Sequence, residues 1–296
     1  MAEELWLIAG SDSFQIEDVA DRRYGVLIDG IGMPPVRHVV QRSPRQDGQT
    51  LLDTRIEPRS ITIALVELSA NRAGYWADRL TLAEYLKQFD SLVLRKVLAS
   101  GTSYELDVSF LSGATGGSEE DYNTHRRRVA FQLIAHDPIW RSATPRSLVT
   151  GLARTGDEFE FAITFPITFG SVDIDTNITL AYAGSWKAYP EIDIRGPITN
   201  PVIQNLTTGE ELSLTATIDD DDVVRFDLSP LTKTVRNITD DENWIQYLDT
   251  DSDLATWHIA ATPEATGGVN SLRVAGADAG VNTVFTVRWY DRFIAI

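Results

Sequence analysis

Hydrophobic and polar positions alternate along several stretches of the first half of the chain. Ile61, Ile63 and Leu65 lie on one side of such a run, and residues 103–110 and 129–133 repeat the pattern. Because strand side chains point alternately to opposite faces, a period of two predicts β-strands with one buried face. Residues 1–145 are therefore expected to be mostly β.

One stretch between these strands has the period of a helix instead. Asn71 is a plausible N-cap for it, since its side chain can accept a hydrogen bond from a free backbone N–H. Spacings of four, three, three and three residues predict one apolar stripe, expected to pack on the neighbouring sheet. The stripe consists of Trp76, Leu80, Ala83, Leu86 and Phe89.

The second half carries many short β-type runs separated by turn residues such as Gly196-Pro197 and Gly267-Gly268. Residues 141–151 are interpreted as a linker, which divides the chain into domains at 1–145 and 146–296. Many short strands at this spacing favour an antiparallel sandwich or a jelly roll. The predicted strands are residues 159–165, 172–180, 191–194, 211–218, 223–228, 271–274 and 284–289.

Several motifs occur in an order that resembles the distal tail proteins of siphophages. The second half contains FPITFG at 165–170, YPEIDIRGPITNPVIQNLTTGEEL at 189–212 and GVNSLRV at 268–274. The first half contains DGQTLLDTRIEPRSITIALVEL at 47–68 and RVAFQLIAHDPIW at 128–140. Each motif alone is turn chemistry plus strand alternation, and the order of the whole set carries the resemblance.

The resemblance implies a mainly β fold and a structural role. The first domain would be a split β-barrel with one flanking helix, similar to tail-tube subunits, and the second a galectin-like β-sandwich. Six copies would form a ring that joins the tail tube to a tail hub or fibre protein and lets DNA pass. The protein would then belong to the virion, at the tail tip, and would be assembled in the bacterial cytoplasm.

Composition and charge narrow the functional classes further. The chain has 296 residues, 43% of them hydrophobic, and no cysteine, which excludes disulfides and cysteine nucleophiles. Its net charge is −17: residues 1–145 carry 16 basic and 20 acidic side chains, and the rest carry 10 and 23. This balance argues against a groove that grips nucleic-acid phosphates. The acidic start and the lack of a long apolar run predict neither a signal peptide nor membrane insertion.

Candidate chemistry is sparse. Asp249, Asp251 and Asp253 begin like a calcium loop, but Leu254 and Ala260 stand where such a loop needs glycine and glutamate. The acidic run at 219–222 is interpreted as a solvated turn. The carboxylate pairs Glu158/Glu160, Asp173/Asp175 and Glu191/Asp193 each interleave with apolar residues, as on the wet face of a strand.

We therefore expect no catalytic residue, no metal site and no cofactor, and we interpret the chain as a structural connector. A carbohydrate-binding adhesion module is the alternative, and a glycan-cleaving enzyme is a more distant one. Arg126, Arg127 and Arg128 form the one basic run and are expected to pair with nearby acids. Trp6 and Trp244 stand in polar surroundings and are expected to be exposed.

Overall fold

A computed structural model describes residues 3–18, 20–87, 91–114, 125–151, 172–230 and 232–296. The chain is mainly β, as the alternation predicted. It forms two compact units: unit 1 comprises Met1–Ala143 and Phe293–Ile296, and unit 2 comprises Thr144–Arg292. Within the described ranges, no helix is long and apolar enough to cross a membrane.

Unit 1 contains ten strands and one helix before the chain enters unit 2. They are β1 (Glu4–Ala9), β2 (Asp12–Gln15), β3 (Arg23–Asp29), β4 (Val36–Gln41), β5 (Thr50–Ile56), β6 (Arg59–Leu68), α1 (Arg72–Leu86), β7 (Leu92–Val97), β8 (Ser103–Gly113), β9 (Arg126–Ala135) and β10 (Trp140–Ser142).

The remaining strands follow in chain order. They are β11 (Arg146–Gly151), β12 (Val172–Ala181), β13 (Glu191–Arg195), β14 (Ile198–Asn205), β15 (Glu210–Ser213), β16 (Thr217–Ile218), β17 (Val223–Asp227), β18 (Thr234–Asn237), β19 (Glu242–Asn243), β20 (Val269–Ala279), β21 (Val284–Trp289) and β22 (Arg292–Phe293).

The main sheet of unit 1 runs in the order β2-β1-β7-β8-β9-β6-β3, and β10 pairs with β8. Every second residue of β9 is buried, from Arg127 to Ala135, so one face of the sheet lies on an apolar core. The path has two ends, β2 and β3, and closure into a split barrel stays a prediction. Strands β4 and β5 pair only with each other among the described residues.

A buried arginine holds the C-terminal return of the chain in unit 1. The guanidinium of Arg59 donates hydrogen bonds to the carbonyl oxygens of Ile31 (2.8 Å), Pro138 (2.7 Å) and Ile294 (3.2 Å). Burial lowers the pKa of Arg59. These carbonyls come from three distant parts of the chain, and the Arg59 side chain joins them, so it fixes the position of the C-terminal residues in unit 1. No sequence pattern predicted this contact.

Unit 2 is a β-sandwich. One sheet has the order β11-β21-β13-β17-β18-β19, and the other has the order β12-β20-β14-β15, with β16 beside β14. Ile192 and Phe285 of the first sheet share one apolar core with Leu180 and Leu272 of the second. This arrangement agrees with the sandwich that the strand spacing favoured, and its galectin-like topology stays a prediction.

Two asparagines of the sequence motifs close this sandwich. The amide of Asn270, fully buried, accepts a hydrogen bond from the Ala260 N–H (2.8 Å) and donates one to the Ala260 carbonyl (2.9 Å). Asn205 donates to the His258 carbonyl at 2.8 Å. Before Asn270, Gly268 has φ 72° and faces the Tyr182 carbonyl so closely that no side chain fits. The motif spacing therefore reflects backbone groups that have no strand partner.

Helix α1 begins as predicted but turns a different face to the sheet. Asn71 accepts a hydrogen bond from the Gly74 N–H at 2.9 Å, as an N-cap does. The predicted packing of Trp76 and Leu80 is wrong, since both side chains are exposed; Leu86 is 3% exposed, and Phe89 lies outside the described residues. The buried side chains are those of Tyr75, Leu82 and Leu86.

Helical geometry explains the correction. At about 100° per residue, Tyr75, Leu82 and Leu86 point within about 40° of one another, whereas Leu80 points about 120° away from Leu86. The predicted stripe included Trp76 because this side chain is large and apolar, and that choice placed the stripe on the wrong face of the helix. In the structure its ring lies edge-on to Tyr75, with Arg79 5.4 Å from the ring centre.

The predicted linker at 141–151 contains the boundary between the two units, at Ala143 and Thr144, but most of it is not an irregular connection. Its residues belong to β10 and to β11, which pairs along its whole length with β21. Strand β11 is an edge strand of its sheet, and few of its side chains are buried. Its apolar alternation is therefore weak. The predicted strand at 159–165 lies outside the described residues.

Leu86→Ala should lower the free energy of unfolding by about 2–5 kcal/mol, because it leaves a cavity between helix and sheet. Leu80→Ala is the matched control on the same helix, with a side chain that is 64% exposed, and should cost less than about 0.5 kcal/mol. Urea unfolding measures both changes. Equal losses would mean that the helix face has been assigned incorrectly.

Candidate assembly surface

The carboxylate pair Glu191/Asp193 belongs to an ion-pair network on the outer face of the sandwich. The Asp193 carboxylate accepts hydrogen bonds from Arg225 (2.7 and 2.9 Å) and from Arg288 on the flanking strands. Burial opposes the ionised form, but these hydrogen bonds outweigh it and hold the pKa of Asp193 below its usual value. Both carboxylate oxygens are already bonded, so the pair supports the sheet.

In the pair Asp173/Asp175, Asp175 has an arginine partner as well. Asp175 forms two hydrogen bonds with the Arg273 guanidinium, at 2.7 and 2.8 Å across neighbouring strands, and these lower the pKa of Asp175. The pair Glu158/Glu160 lies outside the described residues.

The aspartate motif resembling a calcium loop supports local backbone structure. Asp249 accepts a hydrogen bond from the Asp251 N–H at 3.1 Å, and Asp253 accepts one from the Glu211 N–H at 3.0 Å. In the part of the chain that the structure describes, no three acidic or histidine side chains are grouped to hold a metal ion. The acidic run at 219–222 forms a turn that is held by Arg195, Asn237 and Asn282.

The basic run contributes one buried cation to unit 1. Arg127 lies 3.4 Å from Glu67 on the neighbouring strand, and both side chains are almost fully buried. Burial raises the pKa of Glu67 while the charge of Arg127 lowers it. Among the described residues, the predicted pairing is thus seen for Arg127 alone, which is buried between β9 and β6, while Arg126 and Arg128 are exposed; the acids at 119–121 lie outside the described residues.

The tryptophans expected at the surface are more enclosed than predicted. Trp244 is buried within unit 2, and its ring meets that of Tyr247 edge-on, with the ring centres 5.1 Å apart. Trp6 is half-buried, and its indole N–H donates to Glu4 at 3.0 Å. Neither offers the open ring that stacking on a sugar would need.

The two-stranded sheet β4–β5, which we call the arm, carries several exposed apolar side chains of unit 1, among them Val36, Val40, Leu51 and Leu52. Eleven of its 13 strand residues are exposed, and only Val39 and Ile56 are partly covered. Leu51 is 56% exposed and Leu52 58%. An isolated pair of strands is marginally stable in water, so an arm of this kind needs a surface to cover it.

The arm is basic although the chain is strongly acidic. Residues 36–56 contain four arginines and two aspartates, a balance of +2 in a chain of −17. Arg37 and Arg55 are direct cross-strand partners, an arrangement that like charges disfavour unless an anion is near. Among the described residues, Arg55 pairs with Asp53 at 2.8 Å and Arg37 with Glu57 at 3.8 Å.

A shallow groove lies beside strands β3, β6 and β9 of the main sheet of unit 1. It has a volume of about 530 Å³ and is lined by Val26, Ala64, Val66, Val129 and the stems of Arg126 and Arg128, among others. Val26 on the end strand β3 is 66% exposed, and its neighbour Leu27 is 52% exposed. The arm and this groove together form the candidate assembly surface.

The sequence carried a weak signal for this surface. β4 and β5 contain Val36, Val39, Val40, Leu51 and Leu52, which predict strands but not whether a core covers them. The arginines between them indicated a polar face, and only the coordinates show that both faces are open.

Comparison with solved structures gives matches along the whole chain. The Dit protein of phage SPP1, described as a paradigm of the hub adsorption apparatus in phages that infect Gram-positive bacteria, matches with a TM-score of 0.62 at 10% identity. The match covers 98% of this chain and 99% of that one. The chain has the distal tail protein fold. The predicted resemblance is thereby confirmed at the level of the fold.

Two further structures with this fold come from phage P2, whose baseplate was solved in its activated conformation with calcium and with strontium. Each matches with a TM-score of 0.50, at 10% and 9% identity, over 97% of this chain and 98% of that one. No protein-family model and no curated protein sequence matches the chain. At this identity the fold is shared while the individual side chains are not.

Asp193→Asn should destabilise the chain in a pH-dependent way. Because the folded-state pKa of Asp193 lies below the unfolded value of about 3.9, the stabilisation is present above about pH 4 and is lost as the pH falls through the folded value. At pH 7 the variant should lose about 1–3 kcal/mol.

Urea unfolding at pH 7 and in steps below pH 4 measures this loss. Asp175→Asn is the control in the same unit, where the ion pair is exposed and the loss should be much smaller. A loss for Asp193→Asn that stays constant down to pH 2 would contradict the assignment.

Proposed function

We propose that the chain is a distal tail protein: a non-enzymatic connector that closes into a homohexameric ring at the tip of a phage tail. One face of the ring docks on the tail tube, the other holds the tail hub or fibre protein, and DNA passes through the centre. The observation that carries the proposal is the end-to-end fold likeness to SPP1 Dit, over 98% of this chain and 99% of that one.

The arm gives the proposed ring a physical basis. A ring of identical subunits uses two different patches, one on each side of every subunit. The basic arm with its exposed leucines supplies one patch, and the apolar groove beside Val26 supplies the other.

The charge balance also suits a channel for DNA. Residues 1–145 carry −4 and the rest of the chain −13. A channel wall that gripped phosphates would retain the genome, so we propose that acidic or neutral side chains line it. The basic arm is then used between subunits, away from the channel.

Mixing two single variants tests the ring and its two patches together. The native chain should form a particle of six times 32.8 kDa, about 197 kDa. Leu51→Asp in the arm and Val26→Asp at the groove should each lower the assembled fraction at least tenfold, because each places an unpaired charge in an apolar contact. Native mass spectrometry measures the species.

An equal mixture of the two variants has one intact pair of patches, an unaltered arm on one chain and an unaltered groove on the other. It should therefore give heterodimers of twice 32.8 kDa, about 66 kDa, and nothing larger. Val281→Asp, at a side chain that is 87% exposed in unit 2, is the control and should assemble normally. A native chain that stays monomeric at every concentration, also when a tail tube is supplied, would overturn the proposal.

The assembled ring should bind duplex DNA no more tightly than about 10 µM at low salt, within the range of weak non-specific binding. An electrophoretic mobility shift assay in 20 mM and 200 mM salt measures this. Tight binding that weakens steeply as salt rises would mean that cations line the channel.

A further inference from the structure

The outer edge of strand β15 is covered by a segment that is not itself a regular strand. β15 ends the sheet order β12-β20-β14-β15, so one of its sides bonds to β14 and the other faces away from the sheet. The backbone groups of Glu211 and Ser213 point to that outer side, and so does the Thr215 N–H, which donates to the Tyr247 carbonyl at 2.8 Å. We call residues 247–253, which follow this side, the strap.

The strap satisfies the outward backbone groups of β15 one after another. The Glu211 N–H donates to the Asp253 carboxylate at 3.0 Å, and the Glu211 carbonyl accepts from the Asp253 N–H at 2.7 Å. The Ser213 N–H donates to the Ser252 hydroxyl oxygen at 2.9 Å, and the Ser213 carbonyl accepts from the Asp249 N–H at 2.9 Å. These are the groups that a further strand would bond in order to extend the sheet.

The strap covers this edge without extending the ladder of hydrogen bonds. Its backbone turns on itself, because the Asp251 N–H donates to the Asp249 carboxylate (3.1 Å) and the Ser252 N–H donates to the Asp249 carbonyl (3.1 Å). A regular strand in this place would pair through its whole backbone and would present a new outer edge of its own. The two N–H groups of β15 are capped by side chains instead, so the ladder ends there.

Apolar side chains hold the strap against the core of unit 2. Leu248 and Leu254 pack on that core from either side of the acidic turn. The Asp253 carbonyl accepts from the N–H of Trp257 at 2.9 Å, and the Trp257 side chain is fully buried. Burial thus fixes the strap in place and keeps its polar side chains where they cap β15.

We propose that the strap is an edge guard, which prevents β15 from pairing with the β15 edge of a second copy of the chain. An uncovered edge strand is a template for pairing, and two identical edges can pair antiparallel about a two-fold axis. Ser252 and Asp253 supply the caps, and Asp249 holds the turn that presents them. All three belong to unit 2 of one chain, so the proposal does not depend on ring formation.

The double variant Ser252→Ala/Asp253→Ala of the full chain tests the guard, because it removes both side-chain caps and leaves the backbone of the strap. Amide hydrogen exchange at single-residue resolution measures the N–H groups of Glu211 and Ser213, which should exchange about tenfold faster than in the native chain, or faster still. Sedimentation velocity measures association, and the variant should form larger species than the native chain at the same concentration. Because the native chain is the reference whatever its own oligomeric state, failure of the proposed ring leaves this test intact.

The concentration dependence of exchange locates the new contact. As the concentration of the double variant rises, the amides of Glu211 and Ser213 should become protected again, because the edge of a second copy then pairs with them. Larger species in which these two amides still exchange fast would overturn the proposal. Fast exchange without any larger species, or exchange that is unchanged from the native chain, would overturn it as well.

Two conservative variants separate hydrogen bonding from charge. Asp253→Asn keeps an oxygen that accepts from the Glu211 N–H, and Asp251→Asn removes the same charge from an exposed neighbour. Both should exchange and sediment as the native chain does, and self-association of either would mean that charge repulsion, not capping, keeps the edges apart. If the double variant fails to fold, Ser252→Ala alone should raise the exchange of Ser213 but not of Glu211, and should also increase association. Native behaviour of that single variant would overturn the guard.

Discussion

A sheet of only two strands has no second layer of its own to bury either face. The arm is such a sheet, and no other part of the described chain covers it. Every other sheet lies against a core: the main sheet of unit 1 on one apolar cluster, and the two sheets of unit 2 on another. The arm is different because both its faces are open to solvent. No part of the described chain covers its leucines, and in the proposed assembly a neighbouring subunit would cover them.

The same physical logic explains what several residues of the sequence motifs do in the structure. Strand alternation builds both cores and tolerates exchange among apolar residues. The sandwich also contains backbone groups that lie between strands, and these need fixed partners. Asn270 and Asn205 supply them for residues 258–260, and Arg59 does so for the C-terminal return in unit 1.

The sequence was informative where a local rule determines structure. The N-cap at Asn71 and the buried alternation in β6, β8 and β9 follow from hydrogen bonding and the period of two. The sequence predictions were wrong where burial or strand pairing depends on which distant element packs against a residue. Trp76 and Leu80 are apolar but face solvent, because α1 contacts the sheet through Tyr75, Leu82 and Leu86. Residues 146–151 resemble a linker in sequence, but in the structure they form a strand that pairs with β21.

Amide hydrogen exchange of the arm tests the account most directly. In the isolated chain the amides of Val36–Gln41 and Thr50–Ile56 should exchange within seconds, far faster than those of β6 and β9, because no core protects the pair. In the assembled particle their exchange should slow at least a hundredfold, since a neighbouring subunit would cover them. Equal exchange of the arm in both states would contradict the claim that the arm holds the assembly together.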